Sequence, residues 1–232
     1  VLSELSDSEL IKMLDAPTAK HRLHAQREIL RRKPASDISG PLAELAKNPK
    51  TSPAGIVAAI FTLKQSDRVS AHRQLLQLAK VPQAQEYALR ALTDRTSELK
   101  NVPVEPYVEA LKSDDPRIQA QALISLGRLV NSDVAEAILL LTIRAEGSVL
   151  PTAEPLWNQA DAGRVLPHLA VQTLRTLNAY EACLKAIPGP YQDGALWALK
   201  GMHDEGAVDG LLLTLSKTYD SELRRELFTT LI

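Results

Sequence analysis

One apolar step recurs along the whole chain. An alanine, or once a leucine, is followed four positions later by a leucine or isoleucine, and the first members of successive pairs lie 34, 29, 34, 48, 25 and 32 residues apart. Residues four apart share one face of a helix, so each pair marks an apolar stripe that a single helix cannot bury alone. Repetition at such intervals is typical of stacked helical units. The pairs are Ala25 with Ile29, Ala59 with Leu63, Ala88 with Leu92, Ala122 with Leu126, Ala170 with Leu174, Ala195 with Leu199, and Leu227 with Leu231.

Residues 113–141 show one such unit in full. Pro116 follows two aspartates, an arrangement typical of a helix with an Asp cap and proline in its first turn. We expect Ala122 to be buried at a helix crossing, with Gln121 and Ser125 mostly outside the apolar stripe. The predicted stripe comprises Ile118, Ala122, Leu123, Leu126 and either Leu129 or Val130.

A polar break follows this helix at residues 131–133, and a second apolar stripe begins at Val134. Ser132 or Asp133 is the expected cap of the second helix. Two amphipathic helices joined by so short a turn are expected to lie antiparallel and to need neighbours that cover their apolar faces.

The composition indicates an all-α fold. Aromatic residues make up 4% of the chain and apolar residues 45%, so aliphatic side chains must do most of the packing. We predict an α-solenoid of about seven irregular helix pairs, with residues 1–232 forming a single repeat domain. The long interval before Ala170 predicts an irregular insertion at about residues 145–164. This insertion either presents Trp157 as an exposed anchor for a partner or forms an extra helix that buries it.

The spacing and apolar pattern of these units resemble HEAT repeats, which are helix pairs stacked into an α-solenoid. The HEAT pattern also has an Asp in the loop and an Arg early in the second helix. Asp15 with Arg22, and Asp220 with Arg224, match those positions. In the other units the Arg is replaced, so a regular polar ladder along all repeats is not expected. The replacing residues are Ile56, Gln85, Gln119 and Pro167.

Two longer segments, residues 8–32 and 194–231, together with "HLAVQTL" between them, are similar to the helical-repeat part of large bacterial putative membrane-bound dehydrogenases. In that family a β-propeller precedes the helical part and a cytochrome c domain follows it. The resemblance implies an exported parent protein in the periplasm or cell envelope, of which this chain is a fragment. The parent's oxidoreductase chemistry would reside elsewhere, since the sequence contains no C-x-x-C-H haem motif.

Composition and motifs give no sign of catalysis, a cofactor or a metal site. His21 and His24 lie three residues apart, but no third ligand stands near them in sequence. The segment "MHDEG" at residues 202–206 is interpreted as a turn in which Asp204 or Glu205 caps the next helix. A single cysteine, Cys183, excludes an internal disulfide, and no apolar run is long enough to insert into a membrane.

Basic residues are concentrated between positions 20 and 33. At helical spacing Lys20, His24, Arg27 and Arg31 form one basic ridge, which is either a solvated face or a binding site for an anion or partner. Of the two tryptophans, Trp197 is expected in the core, and Trp157 is the candidate anchor.

The favoured function is a non-catalytic scaffold that binds another protein or neighbouring domains of its own parent chain. The alternative is a HEAT-like nucleic-acid-binding enzyme of the alkylpurine DNA glycosylase type. Such an enzyme needs a basic groove with aromatic side chains and a carboxylate near the extruded base. The net charge of −1 and the scarcity of aromatic residues weigh against nucleic acid as the partner.

Overall fold

The computed structural model describes residues 2–32, 37–143 and 162–232. Throughout these ranges the regular secondary structure is helical, which confirms the all-α prediction. None of the helices in these ranges combines the length and hydrophobicity needed to span a membrane. The chain divides into two compact units, residues 1–106 and 107–232, and each is described by itself. The prediction of a single repeat domain stays a prediction.

The described residues of the first unit form six α-helices in two layers. The odd-numbered helices pack against one another in chain order, α1 on α3 and α3 on α5, and the even-numbered helices do the same, α2 on α4 and α4 on α6. Each odd helix also packs on the even helix that follows it. The helices are α1 (Asp7–Met13), α2 (Ala19–Arg32), α3 (Ser39–Lys47), α4 (Pro53–Asp67), α5 (His72–Leu78) and α6 (Gln85–Thr93), with 3₁₀ turns at Leu2–Glu4, Arg68–Ala71 and Thr96–Glu98.

The second unit has the same alternation. Helices α8, α10, α12 and α14 pack in sequence as one layer, and α9, α11 and α13 pack as the other. The helices are α7 (Glu105–Ala110), α8 (Pro116–Leu129), α9 (Ala135–Leu139), α10 (Ala162–Thr176), α11 (Tyr180–Ala186), α12 (Gln192–Leu199), α13 (Glu205–Lys217) and α14 (Ser221–Leu231), with 3₁₀ turns at Ser132–Val134 and Leu140–Thr142.

The recurring apolar pairs lie on the even-numbered helices α2 to α14. Every member is buried except Leu231, which is half-buried near the end of α14. Alanine at the first position lets neighbouring helices approach closely, and the leucine or isoleucine one turn later fills the space between them. The repeated step therefore marks the packed face of one layer in each unit.

Side-chain caps begin several helices where the sequence predicts them. Asp115 accepts a hydrogen bond from the Arg117 amide at the start of α8. Asp204, within "MHDEG", accepts from the Gly206 amide and caps α13. The predicted cap of the second helix at Ser132 or Asp133 is wrong: α9 begins without a side-chain cap, and the 3₁₀ turn before it is capped by Asn131, whose Oδ1 accepts from the Asp133 amide. Asn competes well for this position because its short side chain reaches the nearby free amides.

Helix α8 is buried over a wider face than the apolar stripe predicts. Gln121 and Ser125 are both buried, and the Gln121 side-chain amide donates to the Ser125 hydroxyl over 3.0 Å. The two polar groups satisfy each other, so they enter the interior at little cost. Val130, an alternative end of the stripe, is exposed and has a left-handed backbone with φ of 51°.

Most of the predicted insertion at 145–164 lies outside the described residues. Trp157 is among those residues, so its predicted role as an anchor is untested. Residues 162–164 form the first turn of α10, and Pro167 lies within that helix.

Candidate functional site

A groove crosses the even-numbered layer of the first unit. It has a volume of about 500 Å³ and lies on α2, α4 and α6. The floor is mostly apolar and comes mainly from α4, whose side chains on this face are small or hydrophobic except for Gln65. The lining residues are Ala19, Arg22, Leu23, Gln26, Pro53, Ala54, Val57, Ala58, Phe61, Gln65 and Tyr87.

The groove exposes apolar surface that its own unit leaves uncovered. Leu23 of α2 is 44% exposed, and Val57 and Phe61 of α4 are half-buried. Arg22 is held in place because its Nη1 donates to the carbonyl oxygens of Ala16 and Pro17, at 2.8 and 3.0 Å. Exposed aliphatic and aromatic side chains around fixed polar groups are typical of surfaces that bind other proteins.

The lining offers little to catalysis. Of the described side chains that line the groove, only Arg22 and Tyr87 are titratable, and the lining itself contains no carboxylate, imidazole or thiol to form a catalytic pair with either. General acid–base or nucleophilic chemistry needs such a pair within hydrogen-bond reach.

The predicted basic ridge lies on α2 beside this groove. Lys20 and Arg27 are exposed, and His24 between them is half-buried. Arg31 is neutralised, because its Nε and Nη2 donate to Glu28 at 2.9 and 2.7 Å. The bonds from Arg31 and then Arg32 lower the pKa of Glu28 to about 2. The ridge is thus reduced to its Lys20–Arg27 part as a source of available positive charge.

A buried ionic cluster lies in the same unit. The Lys64 side chain is 1% exposed, and its ammonium lies 2.8 Å from Oε2 of buried Glu98. The same ammonium contacts Nε2 of His72 at 2.8 Å. Since an ammonium can only donate, Nε2 must accept, and His72 is neutral with its proton on Nδ1. Arg68 and Arg95 contact Oε1 of Glu98 at 2.9 and 3.4 Å.

The cluster shifts two pKa values downward. Burial, and then the Lys64 charge, lower the pKa of His72. The Lys64 bond, aided by Arg68 and opposed by burial, lowers the pKa of Glu98 to about 2. The cluster joins α4, α5 and the turn at Thr96–Glu98, so its evident role is to hold these elements together.

A second, smaller cavity lies in the other unit. Its volume is about 310 Å³, and its walls include Ile143, Pro190, Tyr191 and Trp197. Trp197 is half-buried rather than in the core, which corrects the sequence prediction. The centre of its ring lies 6.0 Å from the centre of the His168 ring, and its side chain also lines this cavity.

Other candidate positions are structural or isolated. In the part of the chain that the structure describes, no three His, Cys, Asp or Glu side chains lie close enough to hold a metal. His21 bonds through Nδ1 to the Thr18 hydroxyl at 2.8 Å. Cys183 is buried, and burial raises the pKa of its thiol to about 12, which makes it a poor nucleophile.

No protein-family model matches this chain, and no curated protein matches it either. Three engineered proteins with crystal structures, all structural genomics targets, are similar to it over nearly its full length. The first is 17% identical with a TM-score of 0.48 and covers 97% of this chain and 67% of its own. The second is 19% identical with a TM-score of 0.37, covering 97% and 94%. The third is 18% identical with a TM-score of 0.35, covering 98% and 97%. These likenesses are too weak to support an argument about this chain.

The groove and the ionic cluster are features that the sequence reasoning missed. The cluster had a local signal, since Lys64 follows directly on the apolar run "AAIFTL" of α4. A charge on the buried side of an apolar helix needs a partner, so this lysine could have prompted a search for one. The groove had no such signal, because its lining comes from three separate helices.

Proposed function

We propose that this chain is a HEAT-like α-solenoid of about seven helix pairs that binds another protein and has no catalytic site of its own. The alternation of helices between two layers within each unit supports the proposal, because stacked helix pairs produce this order of contacts. The regular recurrence of buried alanines on the even-numbered helices supports it further.

The groove on α2, α4 and α6 is the observation that carries the proposal. Leu23, Val57 and Phe61 all line it, and its described lining contains no carboxylate, imidazole or thiol. Covering such a surface with apolar side chains of a partner is favourable, by about 25 cal/mol for each Å² removed from water. The partner is a protein or a neighbouring domain of the parent chain.

The resemblance of the two end segments gives this proposal a context. In it, the chain docks or spaces the domains of an exported dehydrogenase-like protein in the periplasm or cell envelope. The DNA glycosylase alternative has less support. The described groove lining has no carboxylate, and its one guanidinium already donates to two carbonyl oxygens.

Selection of groove-binding peptides tests the proposal. A random peptide library displayed on phage would be selected against the full chain, and selected peptides synthesised for binding measurements. We expect Leu23→Ser and Phe61→Ala each to weaken binding by about tenfold, because each removes apolar contact area. Leu213→Ser is the matched control, since Leu213 is a similarly exposed leucine in the other unit.

Two results would contradict the proposal. One is a selection that yields no binder, or only binders that Leu23→Ser and Phe61→Ala leave unchanged. The other is tight binding of duplex DNA with a steep salt dependence, which would favour the nucleic-acid alternative.

A further inference from the structure

The two borders of the groove differ in charge. On the α2 border, Lys20 and Arg27 lie three residues before and four residues after Leu23, so both flank this exposed leucine on the helix surface. Within the described part of the chain, neither has an ion-pair partner. The nearest acid on α2, Glu28, is already bound by Arg31 and Arg32. This border therefore carries available positive charge.

The α6 border is balanced by comparison. Tyr87 lines the groove there, and the exposed residues that follow it at helical spacing are Arg90 on α6 and Asp94, directly after the end of α6. These two lie four residues apart, so their opposite charges are adjacent on the helix surface. The floor between the borders is formed by α4 and is uncharged at the residues that line the groove. The electrostatic preference of the groove thus comes from α2.

We propose that the occupant of this groove is an acidic peptide segment, with large apolar side chains that cover Leu23 and Phe61 and carboxylates that meet Lys20 and Arg27. This inference rests on the proposed function and names the chemistry of the partner. Lys20 and Arg27 are seven residues apart on α2, a rise of about 10 Å along the helix. A partner helix matches this spacing with acidic residues two turns apart, on either side of its apolar anchors.

A peptide fits the groove better than a nucleic acid does. Single-stranded nucleic acids bind through rows of phosphate-neutralising cations and stacked aromatic rings. Here the floor is mainly aliphatic around a single phenylalanine, and the cations Lys20 and Arg27 lie together on the α2 border. A peptide with apolar side chains and a few carboxylates can pack on the apolar floor and also pair with the cations of the α2 border.

The peptides selected on the groove test this inference directly. We expect those that depend on Leu23 to be enriched in Asp and Glu on both sides of their apolar residues. The strongest would be synthesised twice, once as selected and once with Asn and Gln in place of Asp and Glu. In dilute buffer the acidic form should bind roughly fivefold more tightly, since each exposed ion pair contributes little. Added salt should reduce this advantage.

Variants that remove positive charges test whether Lys20 and Arg27 cause the preference for the acidic form of the peptide. The double variant Lys20→Gln with Arg27→Gln should abolish the preference for the acidic form and leave binding of the amide form unchanged. The control is Lys200→Gln with Lys217→Gln, which removes two exposed positive charges from the other unit and should preserve the preference.

The outcomes separate this inference from the proposed function. Groove-dependent peptides without acidic residues, or an acidic preference that survives the double variant, would overturn the inference and leave the proposed function standing. An oligodeoxythymidylate that binds more tightly than the peptides through Lys20 and Arg27 would overturn the acidic-peptide assignment. Absence of any groove-dependent peptide would remove both proposals.

Discussion

In the HEAT pattern an Arg lies early in the second helix of a pair, and in this chain different residues perform its structural role. Arg224 donates to the carbonyl oxygen of Leu215 at the end of the preceding helix, and Arg22 caps the preceding loop in the same way. Gln119, which replaces the Arg of the HEAT pattern, donates over 2.9 Å to the carbonyl oxygen of Leu111 after α7. The role is therefore to satisfy free carbonyl groups at a helix end, and a neutral amide can perform it.

The loop aspartate of the first unit has an equally specific contact. The Asp15 carboxylate accepts hydrogen bonds from both the amide and the hydroxyl of Ser52, the cap of α4. Gly55, three residues further on, has no side chain to displace the carboxylate from this place. A Cβ there would press on Asp15 and lie 2.8 Å from Cγ2 of Thr51.

We predict that Gly55→Ala destabilises the protein although alanine favours helices. The added methyl group would displace Asp15 from Ser52, and we expect the free energy of unfolding to fall by about 1–3 kcal/mol. Gly40→Ala is the matched control, because Gly40 also lies in the first turn of a helix and a Cβ there meets nothing within 4 Å. It should raise the free energy of unfolding by up to about 1 kcal/mol. Urea titrations would measure both, and equal effects would contradict the predicted contact.

At the scale of elements, the packing of α8 on α10 supplies a sharp test of the helix register. Ala122 is fully buried on α8, and Ile124, two residues later, is 40% exposed. We predict that Ala122→Arg lowers the free energy of unfolding by about 3 kcal/mol or more, since it forces a charge into a close-packed region. Ile124→Arg should change it by less than about 1 kcal/mol. Similar losses of thermal stability in the two variants would contradict this register.

The Lys64–His72–Glu98 cluster makes the stability of its elements depend on pH. Both His72 and Glu98 have a pKa that is lower in the folded protein than in the unfolded chain. The unfolded chain therefore binds more protons as the pH falls, first on His72 below about pH 6.5 and then on Glu98 below about pH 4.5. Stability is greatest above both windows and decreases as the pH falls through each.

We predict two acid-dependent losses in the free energy of unfolding, measured by urea titration from about pH 8 to about pH 3. His72→Gln should remove the loss that begins below about pH 6.5 and keep the one attributable to Glu98. His203→Gln, at an exposed position, is the control and should keep both. A His72→Gln profile parallel to that of the unaltered protein would show that His72 is not held neutral.

The helices were easier to predict from the sequence than the polar residues that are buried in them or that cap them. The anchors at Ala25 or Ala122 could be read from spacing because burial on one face repeats with the helical period. The burial of Gln121 with Ser125 could not, since each is polar and their burial depends on hydrogen bonds such as the one that joins them. The cap at Asn131 was missed because three neighbouring polar residues all suit that role.

For the whole molecule, the all-α fold followed from the aliphatic composition and the recurring step. The candidate site was only half predictable. Lys20 and Arg27 lie on one helix, so their separation in the sequence determines the distance between them in the structure. The groove needed the positions of α2, α4 and α6 together, and the neutralisation of Arg31 depended on a rotamer of Glu28. Pairwise side-chain geometry of this kind is not encoded in any single helical period.

The alternation of helices between two layers has a consequence for how quickly each unit forms. Within each unit, helices pack mainly on the next helix and on the next but one, so most helix contacts join elements that are near neighbours in chain order. Forming these contacts requires the closure of short loops, which costs less entropy than closing long ones. Chains with such local topology cross a low kinetic barrier and fold rapidly. Each unit can thus acquire its structure progressively, one helix after another, as successive segments become available.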